Sequence, residues 1–429
     1  MKLLLVLAAL VSVSLAAQAP QTFTMESGLT CVLLESHERA LIRMELITRW
    51  DRSELPAGKE ALGGFLAEVL DAGGAGPYNR AAFNRAVDAL GMKLGFTARM
   101  GAYRWTLAAD SRSQEMAMEL LVNAVVRPAF DGPLVESERK TALKLAAAAS
   151  PRERAMGRFL WNLGDAGAVR PPAELGLDRI EYQDLVDFRR RVLRPERSTL
   201  MFYGDLNLTQ AKQLVLMHLG IWGPADQVPL KGLPPYRSAR SGPEPRLLAV
   251  LEPGPGAELW AGASRPEGNP AVEALLPILL ARTSRSRFGG FAMSFRLPAD
   301  SHGPLLIKAE VPLRDRDTLV PGFMAALERL RSAGFSPEDL ACALLQWKAE
   351  NSALALHPEA LLRETLDGRL NPELARAVQR LTLKEIDQAL QAWLDPQRLR
   401  FLLVGADAGV LQAADKAGLK PVVIVGPDA

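Results

Sequence analysis

Apolar positions along the chain fall into two periods. Leu29–Glu35 (LTCVLLE) and Leu41–Thr48 are short runs rich in Val, Ile and Leu, which predicts strands. Leu62–Leu70 and Arg80–Leu90 place apolar residues three and four apart, which predicts helices. Lys93–Ala108 alternates and carries β-formers, so a hairpin is expected there. Gln114–Val126 reads as an apolar helix stopped by Pro128. Ser336-Pro337-Glu338-Asp339 reads as a helix start: a capping hydroxyl, a first-turn proline, then acids at the positive end of the dipole. Strands and helices alternate without a regular βαβ rhythm, so the fold class is α+β.

The pattern repeats. With Asp184-Leu185 set against Glu385-Ile386, Leu193 meets Leu394, Pro195 meets Pro396, Arg197 meets Arg398 and Gly204 meets Gly405, each pair 201 residues apart. Both copies read helix, proline, strand (198–203 and 399–404), glycine. A period this long implies duplicated domains rather than a solenoid. Residues 223–245 (GPADQVPLKGLPPYRSARSGPEP) are rich in Pro and Gly without apolar period and read as a linker. The expected organisation is a segment 1–16, a domain 17–222, the linker 223–245 and a second domain 246–429, each domain a mixed or antiparallel sheet packed with helices.

Composition narrows the function classes. Lys2, the apolar run from Leu3 to Leu15 and the small residues Ala16, Ala17 and Ala19 have the form of a secretory signal peptide, with cleavage expected after Ala16. That run is short of the roughly 20 residues that span a bilayer, and no later run is long enough. An uncleaved N-terminal helix is the alternative. Export to a periplasm or to the medium is therefore expected. A net charge of +2 gives no electrostatic footprint for nucleic acid. Cys31 and Cys342 lie in apolar segments of different halves, and buried free thiols are expected although export would permit a disulfide.

Several ordered segments resemble the pitrilysin/insulinase-type zinc metallopeptidases, above all their short bacterial and mitochondrial-processing branch. Gly28–Leu34 is similar to the family's first strand, and Gly58–Leu70 to the helix that carries its zinc motif. Ala89-Leu90-Gly91 through Phe96-Thr97-Ala98 resembles the "lGgxxNAxT" segment. Arg127–Phe130 with Val135–Arg139 resembles the approach to the third ligand, and Leu193–Asp205 the strand closing the domain. In active members H-x-x-E-H puts two zinc ligands four residues apart on one helix face, with the Glu as general base. The matching stretch here is Gly64-Phe65-Leu66-Ala67-Glu68. Gly64 replaces the first His, Ala67 the base and Glu68 the second His. The third ligand falls on Lys144 or Leu145. The resemblance thus implies a member without its own zinc, and no cofactor is expected in this chain. Glu68 then reads as an exposed helix acid or one paired with a nearby Arg. The four histidines, His37, His218, His302 and His357, form no alternative zinc cluster in sequence, and no Ser/His/Asp or Cys/His motif suggests another catalytic set.

The resemblance also implies a paired chamber in which a zinc-bearing homologous subunit supplies the metal. In the two-chain branch the zinc-less partner contributes an Arg and a Tyr to the shared site. The matching region has Met293 at the Tyr position, and Arg285 and Arg287 flank Ser286 at the Arg position. Solvated arginines at a helix end are the alternative. Family members hold substrate as an added strand beside the "NAxT" segment, here Gly95, Phe96, Thr97, Ala98 and Arg99. An ordinary core hairpin is the alternative there. The expected function is a non-catalytic subunit of a heterodimeric peptidase that binds unfolded peptides. A stand-alone, non-enzymatic peptide-binding or assembly protein is the alternative.

Overall fold

The computed structural model describes residues 20–51, 54–99, 101–163, 175–223, 246–251, 256–263, 269–287, 293–296, 305–354 and 372–424. The expected leader and residues 224–245 of the expected linker lie outside the described residues. The first half begins with β1 (Gln21–Thr24), β2 (Thr30–Glu35), β3 (Leu41–Arg49), α1 (Leu62–Ala72), β4 (Gly74–Ala75) and α2 (Arg80–Ala89). The hairpin β5 (Lys93–Arg99) and β6 (Ala102–Asp110) follows, then α3 (Gln114–Val126), β7 (Pro128–Ala129), α4 (Gly132–Ala148) and α5 (Pro151–Asn162). It ends with α6 (Tyr182–Val192), β8 (Ser198–Gly204) and α7 (Leu208–Leu219). The second half contains β9 (Leu247–Val250), β10 (Gly256–Ala263), α8 (Pro270–Arg287), β11 (Met293–Arg296), β12 (Leu305–Pro312), α9 (Leu319–Ala333) and α10 (Pro337–Leu354). It closes with α11 (Pro372–Arg380), α12 (Leu383–Trp393), β13 (Arg400–Val404), α13 (Ala408–Lys416) and β14 (Pro421–Ile424).

Helix starts follow their local chemistry. Asn79 Oδ1 accepts from the Ala82 N–H at 2.9 Å, and Asp131 Oδ1 from the Leu134 N–H at 2.9 Å. Asn207 with Gln210 and Thr382 with Glu385 close reciprocal capping boxes on α7 and α12. Ser336 Oγ accepts from the Asp339 N–H at 3.1 Å and donates to Asp339 Oδ2 at 2.7 Å, which starts α10.

Each half holds a six-stranded mixed sheet, in the orders β1-β2-β8-β3-β6-β5 and β14-β9-β13-β10-β12-β11. Five positions match strand for strand. The first and last long strands pair parallel in both (β2 with β8, β9 with β13), and the remaining neighbours pair antiparallel. Gly204 and the glycine after β13, Gly405, both adopt positive φ (122° and 77°). A Cβ at either would lie 2.1 Å from Leu41 O or 2.5 Å from Gly256 O. The strand-ending glycine is therefore required by close approach of the adjacent backbone in both copies. Only the flanking strands differ: β1 runs antiparallel to β2, whereas β14 runs parallel to β9.

Each sheet packs one face on its helices. In β6 the odd residues Tyr103, Trp105, Leu107 and Ala109 point into the core with Phe65, Leu66 and Val69 of α1. Cys31 is fully buried there, and burial pushes its thiol up to about 12, so it packs as a small hydrophobe. Cys342 departs from expectation: it is half-buried on α10. Neither thiol is in a disulfide.

The opposite face of the second sheet is covered by a helix from the first half. Ala155, Phe159 and Leu163, spaced by four along and just past α5, pack on Leu248, Val250, Leu306, Leu402 and Val404. Gly262 makes room: a Cβ there would lie 2.3 Å from Leu163 Cδ1 and 3.2 Å from Phe159 Cζ. At the rim Arg152 donates to both Glu258 carboxylate oxygens at 3.0 Å, and Trp260 Nε1 donates to Glu258 at 3.1 Å. Phe159 is 1 % exposed, so Phe159→Ala should cost about 3–5 kcal/mol in urea unfolding. Arg152 is half-exposed, so Arg152→Ala should cost under about 1 kcal/mol. Equal, small losses would show that α5 does not brace the halves.

Candidate functional site

The site lies where α1 meets α4 and the sheet edge. Along α1, Leu62, Gly63, Phe65, Leu66, Ala67, Val69 and Leu70 are buried, while Gly64 and Glu68 face outward. The helix thus still presents two positions one turn apart on its open side. Their chemistry is not that of a zinc site. Gly64 offers no donor, and Ala67 is a buried methyl with no proton to move. Across on α4, Lys144 and Leu145 are exposed, Leu145 at 68 %. Glu68 is the one metal-binding side chain among these positions.

Its neighbour is another acid. Desolvation first, and the Glu138 charge second, push the Glu68 carboxyl above its ordinary range. Of the two expected readings, Glu68 has the exposed helix position, and its charged neighbour is Glu138 rather than an arginine. The adjacent Arg139 is engaged elsewhere: Nε meets Glu136 at 3.1 Å, Nη1 donates to Leu177 O at 2.5 Å, and the guanidinium lies 5.5 Å from the Phe65 ring centre. Zinc takes three or four converging ligands. Among the described residues no group of three or more His, Cys, Asp or Glu is placed to hold one ion. At the matched positions Gly64, Ala67 and Leu145 bring no donor atom, and Glu68 alone is short of the ligands zinc takes.

Among the described residues the histidines do not supply a site either. His37 is held between two carboxylates, Nδ1 to Asp205 and Nε2 to Glu35, each at 2.7 Å, which raises its pKa. Asp205 also accepts from Ser111 Oγ at 2.9 Å, so this cluster ties the ends of β2 and β8 to the segment after β6. His218 sits near the end of α7, and His302 and His357 lie outside the described residues.

Packing beneath α1 is specific. The Tyr103 hydroxyl donates to Gly63 O at 2.7 Å inside the core. A Cβ on Gly63 would lie 2.4 Å from the Trp50 ring, whereas one on Gly64 would meet nothing within 4 Å. Trp50 packs edge-on to Phe188, and Phe96 of β5 packs on Trp105 with ring centres 4.9 Å apart. This aromatic layer sets α1 beside β5, the outermost strand of its sheet. Gly95, Thr97 and Ala98 are exposed along β5, and Phe96 is half-buried. Arg99 ends the strand, and its side chain lies outside the described residues.

In the second half, Met293 opens β11 and pairs with Ala309. Its side chain is 6 % exposed and belongs to the helix-side core, so the position matched to the family's Tyr points into packing. Arg285 and Arg287 fall on the last turn of α8, with their side chains outside the described residues.

Residues 179–258 match the family described as "Peptidase M16 inactive domain", a stretch that begins just before α6 and ends in β10. A protease from Helicobacter pylori superposes with a TM-score of 0.70 at 13% identity, over 90% of this chain and 99% of that one. The chain has the M16 peptidase fold. A peptidase M16 inactive domain from Pseudomonas fluorescens matches at TM-score 0.69 and 16% identity, over 91% of this chain and 98% of that one. The first half of the periplasmic protease PqqL from Escherichia coli matches at 0.68 and 15% identity, over 94% and 96%. No curated protein matches the sequence. Both findings agree with the resemblance read from the motifs, that of a zinc-less M16 relative of α+β class.

Two neighbouring glycines separate packing from lost chemistry. Gly63→Ala should destabilise by about 1–3 kcal/mol through the Trp50 clash. Gly64→Ala should stabilise by about 0.5–1 kcal/mol, because the helix gains alanine without a contact. Thermal unfolding of the two single variants checks both signs. The triple variant Gly64→His/Ala67→Glu/Glu68→His should bind zinc weakly in calorimetry and cut no peptide. Leu145 still withholds a third protein ligand.

Proposed function

We propose that the chain is a non-catalytic subunit of an exported, heterodimeric M16-type zinc peptidase. It would line part of the substrate chamber and bind unfolded peptide as a strand along β5. The observation that carries this reading is the retained scaffold around a site left with a single donor, Glu68. The α1 helix stays beside an exposed sheet edge, while Gly64, Ala67 and Leu145 stand where ligands and base belong. Main-chain pairing to an edge does not depend on zinc. The match to an M16 inactive domain supports the same reading.

Zinc would reside in a homologous partner carrying H-x-x-E-H, and peptides or unfolded proteins would be the substrates. Export is supported by the leader-like residues 1–16 and by the periplasmic setting named for the PqqL neighbour. No helix among the described residues is long and apolar enough to cross a membrane. A further element is the Arg285/Arg287 pair on the last turn of α8, either of which would polarise the scissile carbonyl in the partner's site. Met293 supplies no hydroxyl for the companion role.

Mixing with a zinc-bearing homologue should generate peptidase activity that neither the chain alone nor its metal content explains. Heterodimer formation is followed by size, and turnover is measured at saturating peptide. Arg285→Ala/Arg287→Ala should assemble normally and lose about 100- to 1000-fold in turnover, the typical loss for an oxyanion-stabilising donor. Normal assembly with full turnover removes the donated arginine and leaves a structural wall. Failure of any homologue to assemble favours a stand-alone peptide-binding protein.

A further inference from the structure

The face of the first sheet turned away from α1 carries a cleft of about 400 Å³ lined by residues of β5, β6, β3 and β8. Register fixes its lining. Gly95 pairs with Thr106, Thr106 with Glu45, and Glu45 with Met201, so these four form one row across β5, β6, β3 and β8. The next row runs Lys93, Ala108, Arg43 and Tyr203. Small residues near the edge, Gly95, Thr106 and Ala108, make the depression. Larger ones wall its inner end, beside the buried cluster of Val32, Leu34, Ile47 and Met201.

We propose that this cleft is a specificity pocket for an acidic side chain of a peptide lying along β5, which rests on the edge-binding reading above. Cross-strand partners share a face and place their Cβ atoms about 4.5–5.5 Å apart. A peptide residue opposite Gly95 would therefore project onto the cleft side. Gly95 has no side chain to block it, and the residue's side chain lies over the glycine toward Thr106. Any side chain at 95 would fill that path, since even a Cβ would sit 2.8 Å from Thr106 Oγ1.

The charge of the lining selects the guest. Lys93 is exposed at the mouth. Glu45 is buried, and its carboxylate is offset by Arg104 at 3.2 Å. Arg43 lines the inner wall. The mouth therefore presents positive charge with a hydroxyl on its floor. A carboxylate receives a charge-assisted hydrogen bond from the Lys93 ammonium. A basic side chain meets like charge and is disfavoured.

The test uses the full mature chain and fluorescein-labelled extended peptides that differ at one position: Glu, Gln or Lys. Anisotropy titrations should show the Glu peptide binding about tenfold tighter than the Gln peptide, with the Lys peptide weakest. The preference should shrink at high salt. Lys93→Glu, a change at an exposed position that leaves the core intact, should reverse the order. Gly95→Ser should erase the preference, with a circular dichroism melt confirming that the variant is folded. Equal affinity for the three peptides would overturn the pocket while leaving edge binding standing. An unchanged order in Lys93→Glu would likewise overturn it. Absence of binding by every peptide would remove the edge-binding reading itself, and the pocket with it.

Discussion

A sheet that carries apolar residues on both faces needs both faces covered, and this constraint organises the molecule. In the second half, Leu248, Val250, Leu306, Leu402 and Val404 stand on the face away from that half's own helices. Their cover is α5, contributed by the first half and seated by the missing side chain of Gly262. The chain reaches α5 directly from α4, which ends at Ala148 with only two residues between the helices. One continuous segment is thus the wall of the candidate site and then the brace between halves. Apolar burial of Phe159 and Leu163 fixes the site wall relative to the second sheet, and the Arg152–Glu258 ion pair at the rim adds orientation more than energy.

Within that frame, packing and chemistry have come apart at the site. The requirements that hold α1 in place are intact: the Gly63 approach to Trp50, the Tyr103 bond to Gly63 O, and the aromatic layer reaching Phe96. Two outward positions that need no packing partner, Gly64 and Leu145, carry no metal donor, while outward Glu68 keeps a carboxylate. Gly64 faces open space, and Leu145 is largely exposed. Substitutions there carry little folding penalty, so ligand chemistry can be lost while the edge strand and its neighbours keep their geometry.

Local pattern was legible in the sequence where structure is local. Alternation in 93–108 gave the hairpin, and apolar spacing gave α1, α2 and α3 within a few residues. The 201-residue repeat was legible because its anchors, Gly204 and Gly405, answer the same backbone collision in both sheets. What stayed hidden is non-local. Nothing in 151–163 announces that its apolar stripe belongs to the other half's sheet. The opposite directions of β1 and β14 depend on where the chain enters and leaves each sheet, and not on their composition. Glu68 reads as a plausible ion-pair partner along the chain, yet folding places Glu138 near it and turns Arg139 toward Leu177 and Phe65. Met293 fits a motif position in sequence, but strand alternation turns its side chain into the core.

With Glu68 the one donor at the matched positions, the purified chain is expected to hold no zinc of its own. The most direct measurement is zinc content of the purified mature chain after equilibration with zinc and removal of the excess, with peptide cleavage assayed on the same sample. Zinc well below one equivalent per chain and no cleavage above the buffer rate are expected. One tightly held zinc per chain, with cleavage that Glu68→Ala abolishes, would contradict that expectation.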